Sequence, residues 1–180
     1  NNKPLIIPGT INAYSAKLAE LANHNSIYLS GSGVAAASYG LPDLGVTTLE
    51  NVLIDAKRIT SATSLPLLVD IDTGWGGFDA ISNTIIEMGN ANVAAVHIED
   101  QIFDKRCGHR PNKQLVSIDE MQDRLKAALD AKIDDSFFIM ARTDALASEG
   151  IEKAIERCGK YLDVGADGIF FESAVSIEEY

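Results

Sequence analysis

Short apolar runs alternate along the 180-residue chain with longer segments that repeat apolar residues at helical spacing. The runs are near-continuous rather than alternating in polarity, which is typical of parallel strands buried on both faces of a sheet. They predict six strands, over residues 5–9, 26–31, 65–72, 93–100, 137–144 and 168–173.

The segments between these strands predict amphipathic helices. Apolar residues fall on one helical face at Leu49, Val52, Leu53, Ala56 and Ile59, and on another at Ile151, Ala154, Ile155, Cys158 and Leu162. Ser117 and Glu120 form a capping-box pattern that predicts a helix running to about Lys132, and Ser176 with Glu179 opens one more.

Six β–α units in series favour a (β/α)₈ barrel, which needs eight units to close, over a doubly wound sheet, for which six strands suffice. The polar residues decide between the two, because they follow the C-terminal ends of at least five strands, where barrel sites are built. We therefore expect residues 1–180 to form a single (β/α)₈-barrel domain that is incomplete at its C-terminus.

Composition limits the partners and the compartment. The chain is 46% hydrophobic and 23% charged, which is typical of a soluble globular protein. It shows neither a charged-then-apolar leader nor an apolar run of membrane-spanning length, and its two cysteines lack zinc-site spacing, so we expect a cytoplasmic protein. The net charge of −11 argues against nucleic acid or an anionic membrane as partner, and an acidic substrate would need local cations or a metal.

Carboxylates at the ends of the third and fourth predicted strands supply the strongest chemical signal. Asp70 and Asp72 share strand parity, which places them on one face, about 6–7 Å apart along the strand. Such a pair repels unless a cation or a proton intervenes, and hard oxygen ligands suit Mg²⁺ or Mn²⁺. The alternative is that Asp72 caps a helix and Asp70 is solvated. Glu99 could join a metal's outer shell through water, whereas His97 is interpreted as a core histidine and Asp100 faces away.

A basic loop after the fourth predicted strand contains Cys107. Its potential cations are Lys105, Arg106, His109, Arg110 and Lys113. Cations favour the thiolate form of a nearby cysteine, which can exchange a proton near neutral pH. The alternative is a solvated basic loop with an incidental cysteine. Cys158, on a helical apolar stripe, is predicted to pack in the core.

Weaker signals end the other strands. Arg142, followed by Asp144, offers a bidentate clamp for a carboxylate, and Glu172 has the same inward parity. Residues 30–33, Ser-Gly-Ser-Gly, present backbone N–H groups and hydroxyls to an anion, and Asp43 is a further outer-shell candidate. A buried Arg–Asp pair or a tight turn would explain each signal alone. Together they suit stabilisation of an enolate or aci-carboxylate with proton transfer, and not Cys–His nucleophilic catalysis.

Six segments, residues 28–34, 40–45, 69–74, 97–101, 105–113 and 141–145, resemble the methylisocitrate lyases of the isocitrate lyase and phosphoenolpyruvate mutase superfamily. The resemblance spans essentially the whole chain, and the segment around Cys107 is its most specific part. It implies a (β/α)₈ barrel, usually a homotetramer, that cleaves 2-methylisocitrate to pyruvate and succinate in propionate catabolism through the methylcitrate cycle. Ser32 departs from the Gly of many members, and the family continues beyond this length with an Asn and two Arg that grip the substrate.

The resemblance also implies a metal shell and a base. Asp70 and Asp72 would hold Mg²⁺, with Mn²⁺ as the alternative metal, and Asp43 and Glu99 would lie in its water-mediated shell. Tyr28, or a base within that shell, would remove the C2 hydroxyl proton.

The implied substrate contacts divide between the two ends of a tricarboxylate. The pyruvate-like end would be bound by Ser30, Gly31, Ser32 and Arg142. Cys107 and Gly108 would line the succinate end, with Cys107 protonating the departing aci-carboxylate, and Glu172 would contact the substrate.

Three other functions stay open. Isocitrate lyase acts on a substrate with one methyl group fewer, and 2,3-dimethylmalate lyase is next. Phe170 has inward parity where isocitrate lyases tend to carry a bulkier Trp, which favours the substrate with the extra methyl. A non-catalytic barrel that binds a dicarboxylate is the alternative from another class, but such a protein needs no proton donor such as Cys107.

Overall fold

The computed structural model describes residues 4–108, 110 and 112–179, apart from the side chain at 178. One parallel sheet runs in sequence order through β1 (Ile27–Leu29), β2 (Leu67–Asp70), β3 (Ala95–Glu99), β4 (Phe138–Thr143) and β5 (Gly168–Phe171). Each neighbouring pair is parallel. An order without reversal is that of a barrel wall, whereas a doubly wound sheet reverses its order. The sheet is therefore part of a barrel, as predicted.

Helices connect the strands on the outside of the sheet. They are α1 (Ala13–Leu21), α2 (Gly31–Gly33), α3 (Leu49–Thr60), α4 (Phe78–Asn90), α5 (Ile118–Asp130), α6 (Leu146–Glu149) and α7 (Ile151–Val164), with a π-helical stretch at Val34–Ser38. The predicted start of α5 is confirmed, because Ser117 caps it by accepting a hydrogen bond from the backbone N–H of Glu120. Thr48 caps α3 in the same way, by accepting from the backbone N–H of Asn51. The helix predicted at Ser176 is a single 3₁₀ turn, Ile177–Glu179.

The first predicted strand, over residues 5–9, is reduced to one paired residue. Gly9 bridges Tyr28 in parallel, through a bond of 2.9 Å from Tyr28 N to Pro8 O and one of 2.7 Å from Thr10 N to Tyr28 O. Pro4 and Pro8 carry no backbone N–H and cannot donate to a ladder, which explains why pairing does not extend. The segment borders β1 without forming a sixth strand.

The face that α7 turns to the sheet differs from the predicted apolar stripe. Ala154, Arg157 and Tyr161 are its buried residues, whereas Ile155 is 60% exposed. The predicted core residue Cys158 is only half-buried. A buried carboxylate on the sheet accounts for this orientation of α7.

Asp100, at the end of β3, faces away from the barrel interior and is fully buried. It accepts hydrogen bonds from Tyr161 Oη at 2.8 Å and Thr143 Oγ1 at 2.7 Å, and Arg157 lies 3.5 Å away. A buried carboxylate is stable only with such donors, so α7 presents its polar residues to the sheet rather than its isoleucines.

The rest of the core is apolar. Its largest buried side chains line both faces of the sheet and the inner faces of α3, α4 and α5, and include Ile27, Leu67, Ile98, Ile59, Ile85, Met121 and Leu125. This packing fixes the strand ends that carry the polar groups. In the described part of the chain, no helix is both long and apolar enough to span a bilayer.

Candidate active site

Polar side chains gather where the C-terminal ends of the five strands meet. The residues proposed from sequence that lie there are Tyr28, Asp70, Asp72, Glu99, Arg142 and Glu172. All but Tyr28, which is half-buried, are less than a tenth exposed. The convergence predicted from strand parity is therefore present.

Three carboxylates form the centre of this site. One oxygen from each of Asp70, Asp72 and Glu99 lies within 4.8 Å of the others. The parity argument for Asp72 is wrong in detail, because β2 ends at Asp70 and Asp72 has a left-handed backbone with φ of 47°. That turn brings the Asp72 N–H to 3.0 Å from Asp70 Oδ1 and folds the second carboxylate back beside the first.

The Ser-Gly-Ser loop after β1 lies directly on the carboxylates. Gly31 N donates to Asp70 Oδ2 at 3.2 Å. A Cβ atom at Gly31 would stand 3.2 Å from Asp70 Oδ2 and 3.3 Å from Asp72 Oδ1, so only glycine allows this approach without displacement. The hydroxyls of Ser30 and Ser32 are 3.0 Å apart, and Ser30 also caps the short helix α2.

Lys105 is the cation beside Asp72 in the carboxylate centre. Its ammonium forms an ion pair with Asp72 and lies 2.8 Å from Asp43 Oδ1. Asp43 therefore reaches the centre through Lys105 and is not one of the three clustered carboxylates. Sequence reasoning assigned Lys105 to the surroundings of the thiol, whereas its side chain is 3% exposed and turned to the acidic groups.

The three carboxylates differ in their electrostatics. Burial, with the neighbouring charge of Asp70, raises the pKa of Asp72 to about 6. Burial also raises the pKa of Glu99 well above its usual value. Burial acts in the same direction on Asp70, but His97, Arg142 and Lys105 outweigh it and hold the pKa of Asp70 below the usual value. Asp70 is thus the member most firmly ionised.

The carboxylates of the centre are balanced by cations rather than by neutral donors. Asp72 Oδ1 is ion-paired with the Lys105 ammonium, and Glu99 Oε2, which accepts no hydrogen bond from any described residue, lies 3.3 Å from Arg142 Nη2. Three buried carboxylates with oxygens within 4.8 Å of one another repel unless a cation lies among them. An all-oxygen donor set of this kind fits a hard divalent cation. The residues present can therefore hold a metal.

Tyr28 and His97 form a stacked pair beside the carboxylates. Tyr28 Oη is 3.0 Å from His97 Nε2, and His97 Nδ1 is 3.7 Å from Asp70 Oδ1. Burial lowers the pKa of His97 to about 4, so the imidazole is neutral near pH 7. Burial and the charge of Asp70 raise the pKa of the Tyr28 phenol. His97 is buried, as predicted. It also borders the site, which its interpretation as a core histidine did not anticipate.

Arg142 is held by carboxylates on three sides. Its Nε and Nη2 atoms donate to Asp144 at 3.0 and 3.2 Å, and it lies 3.3 Å from Glu99 and 3.5 Å from Glu172. Its guanidinium carbon is 5.7 Å from the centre of the Phe170 ring. The bidentate partner of Arg142 is thus Asp144. The two form the buried Arg–Asp pair that the sequence analysis left open as an alternative.

The loop after β3 reaches the same site through Gly108. A Cβ atom at Gly108 would collide with Arg142 Nη2 and with Glu172 Oε1, so its backbone lies against both side chains. Cys107, next to it, is half-buried. Lys113, predicted to surround the thiol, instead donates to Asp144 at 2.9 Å, and His109 lies outside the described residues. The two buried lysines of the loop, Lys105 and Lys113, therefore pair with Asp72 and Asp144 rather than with the thiol.

Lys105, Lys113 and Gln101 are site residues whose contacts sequence reasoning missed. Gln101 fixes the loop by donating to Glu99 Oε1 at 3.1 Å and accepting from Arg106 N at 3.0 Å. The sequence did contain a signal for the buried lysines. The strands end in more acidic than basic residues, and burying those acids requires cations nearby.

A parallel barrel wall with an acidic centre at the C-terminal ends of its strands defines a (β/α)₈ barrel of the isocitrate lyase and phosphoenolpyruvate mutase type. The chain belongs to the phosphoenolpyruvate phosphomutase family, whose sequence profile matches residues 1–179. A protein of Shewanella oneidensis named 2-methylisocitrate lyase is 61% identical over 180 residues, which cover 100% of this chain and 62% of that protein. The chain thus spans about three-fifths of that relative.

Two solved structures extend the comparison. Oxaloacetate acetylhydrolase in complex with the inhibitor 3,3-difluorooxalacetate superposes with a TM-score of 0.95 at 37% identity, over 99% of this chain and 62% of that one. Phosphonopyruvate hydrolase in complex with oxalate and Mg²⁺ superposes with a TM-score of 0.83 at 34% identity, over 93% and 57% of the two chains.

Proposed function

We propose that the whole protein is a carbon–carbon lyase that cleaves 2-methylisocitrate to pyruvate and succinate. The observation that carries this proposal is the meeting of two half-sites on one barrel face. The acidic centre of Asp70, Asp72 and Glu99 lies on one side, and the contact of Gly108 with Arg142 and Glu172 lies on the other. The similarity to the Shewanella oneidensis protein supports the same substrate.

The metal of this proposal is Mg²⁺, with Mn²⁺ as the alternative. Asp70, Asp72 and Glu99 would hold it, with Glu99 and Asp43 acting through water. The three clustered carboxylates support this choice, as does the Mg²⁺ named with the hydrolase structure. When bound, such an ion supplies Lewis-acid stabilisation for the developing carbonyl oxygen and for the enolate-like product.

Binding requires the positive side chains of the site, because the substrate carries three carboxylates and the chain has a net charge of −11. We assign the pyruvate-like end to residues 30–32 and Arg142, and the succinate end to Cys107 and Gly108. Glu172 contacts the substrate beside Arg142. The buried cations compensate locally for the acidic surface and favour a polyanionic ligand.

The bond changes balance without any other reactant. The C2 hydroxyl loses its proton, the C2–C3 bond breaks, and C2 becomes the carbonyl carbon of pyruvate. The electron pair of the broken bond stays with C3 as the aci-carboxylate of succinate, which takes a proton from the Cys107 thiol. The acceptor of the hydroxyl proton is Tyr28 or a group of the carboxylate centre, and both lie at the same face. Because the Tyr28 phenol is protonated, it accepts that proton only by passing its own to the neutral His97 Nε2, 3.0 Å away.

The setting follows from the resemblance. We propose that residues 1–180 are part of one (β/α)₈-barrel catalytic domain, in a cytoplasmic homotetramer that serves propionate catabolism through the methylcitrate cycle. The expected partner is the small-molecule tricarboxylate, with neither nucleic acid nor a membrane.

A side-by-side assay tests the substrate. The whole protein with Mg²⁺ is given 2-methylisocitrate, isocitrate and 2,3-dimethylmalate, and kcat/KM is compared. Phe170 packs on His97 at 4.7 Å between ring centres, and a ring smaller than Trp leaves room for the methyl group. We expect discrimination of about 1–3 kcal/mol in favour of 2-methylisocitrate. Equal or better turnover of isocitrate would assign the protein to the other lyase.

A further inference from the structure

Two side chains from different segments of the chain donate to one backbone oxygen of the Cys107 loop. Lys113 Nζ donates to the carbonyl of Gly108 at 2.6 Å, and Ser173 Oγ donates to the same oxygen at 2.8 Å. A carbonyl oxygen accepts two hydrogen bonds, so this one is saturated. Lys113 belongs to the loop's own C-terminal part, whereas Ser173 follows β5.

The same glycine is also held at its α-carbon. The position of its missing Cβ is 2.7 Å from Glu172 Oε1 and in contact with Arg142, so the backbone can be seated there only without a side chain. Gly108 is therefore fixed both at its oxygen and at its α-carbon. The preceding residue is Cys107, and a fixed Gly108 limits where the thiol can lie.

Neither donor takes part in a bond change of the proposed reaction. Lys113 is 7% exposed and also pairs with Asp144 at 2.9 Å. That carboxylate already receives two hydrogen bonds from Arg142, at 3.0 and 3.2 Å. Burying a lysine costs desolvation energy, and a further ion pair for an already paired Asp144 offsets little of it. The hydrogen bond from Lys113 to the Gly108 carbonyl is a second interaction that its burial makes possible.

We propose that Lys113 and Ser173 are positioning residues that hold the Cys107–Gly108 segment against the site through the Gly108 carbonyl. Asp144 in turn fixes Lys113, and so links the loop to β4 and to Arg142. The consequence for the reaction rests on the proposed function, because it concerns the thiol that would protonate the aci-carboxylate. The docking of the loop does not depend on it.

Alkylation of Cys107 in the whole protein without substrate measures the docking. Ser173→Ala removes one donor without leaving a buried charge unpaired, and Lys113→Met removes the other. Loss of one hydrogen bond should raise the alkylation rate of Cys107 by iodoacetamide about three- to tenfold, and loss of the charged donor by more. Cys158, read from its own peptide in the same sample, reports any general loosening and should not change.

Two controls separate docking from stability. Lys126→Met removes an ammonium that pairs with Asp123 on the exposed surface, and it should leave the alkylation of Cys107 unchanged. A melting curve for each variant shows whether the native state persists at the assay temperature. If Lys113→Met does not fold, Ser173→Ala decides alone.

Turnover provides the second readout. In Ser173→Ala, kcat should fall by about three- to tenfold with a smaller change in KM, because the substrate site remains while the thiol is misplaced. Wild-type alkylation rates of Cys107 in both variants would overturn the proposal, whatever the activity. Faster alkylation of Cys107 in a protein that cleaves none of the three substrates would support the docking and reject the proposed function.

Discussion

The ammonium of Lys105 and the carboxylate of Asp72 form an ion pair that is almost completely buried, with side-chain exposures of 3% and 5%. The charge of Asp72 raises the pKa of Lys105 even though burial acts to lower it. The lysine therefore stays charged in the centre of the acidic cluster. In the absence of a metal, it is the main neutralising group for Asp72, which makes the stability of the centre dependent on it.

Lys105→Met should destabilise the metal-free protein by about 3–5 kcal/mol, because it leaves Asp72 buried without its cation. Mg²⁺ should then raise the melting temperature more in the variant than in wild type, since the ion replaces the lost charge. Lys132→Met is the matched control, because its pair with Asp167 is more exposed and should contribute no more than about 1 kcal/mol. Equal losses in the two variants, measured by denaturant unfolding in chelator, would show that the Lys105 pair has no special role.

Removal of the metal should abolish turnover. A chelator should stop the reaction, and Mg²⁺ or Mn²⁺ should restore it, because the three carboxylates offer no positive charge to the substrate oxygen and Lys105 is already paired with Asp72 and Asp43. Asp72→Ala should bind the metal at least about tenfold more weakly by titration calorimetry. Asp123→Ala, an exposed carboxylate on α5, should bind it as wild type does. Full turnover in excess chelator would rule out the metal.

Low pH should weaken the fold through His97. Its pKa falls from 6.5 to about 4 in the folded protein because it is buried. A base with a depressed folded pKa stabilises the fold above its unfolded pKa, and that stability is lost as the pH falls from 6.5 through 4. The contribution is about 3 kcal/mol.

The comparison variant for this effect is His97→Gln, which cannot titrate. In chelator, the unfolding free energy of wild type should fall more steeply than that of His97→Gln between these two pH values. Parallel curves would mean that His97 is not buried in its neutral form.

Cys107 should be needed for turnover and Cys158 should not. Cys107→Ser nearly preserves size, but a hydroxyl is a far weaker acid than a thiol, so kcat should fall about 10²–10⁴-fold while Mg²⁺ binding persists. Cys158→Ser on α7 should keep its activity. Burial raises the pKa of Cys158 to about 11, so this thiol should also be alkylated slowly. A Cys107→Ser enzyme that keeps more than about a tenth of wild-type kcat would exclude the cysteine as the acid.

The strands and the strand-end carboxylates could be predicted because both follow from local periodicity. Asp70, Glu99 and Arg142 lie where the parity of buried parallel strands puts them. The turn at Asp72 could not be predicted, because a left-handed aspartate has no pattern in the flanking residues. Residues 5–9 have a strand's composition, but their pairing is limited by missing donors rather than by hydrophobicity.

Long-range electrostatics explains the other differences. Lys105 and Lys113 belong to a basic stretch of sequence, and only the fold brings Asp72 and Asp144 within reach of them. The orientation of α7 has the same origin, since Asp100 lies far from Tyr161 in the chain. The apolar stripe of α7 cannot reveal that Asp100 requires hydrogen-bond donors from the polar side of that helix.

Turnover in D₂O tests the proposed cleavage most directly. The whole protein, with Mg²⁺ and 2-methylisocitrate, should release pyruvate and succinate in equal amounts, and NMR should find one deuterium on the former C3 of succinate. That label records the proton delivered to the aci-carboxylate after the C2–C3 bond breaks. An unchanged substrate, or succinate formed without deuterium, would contradict the cleavage and the protonation step proposed for this site.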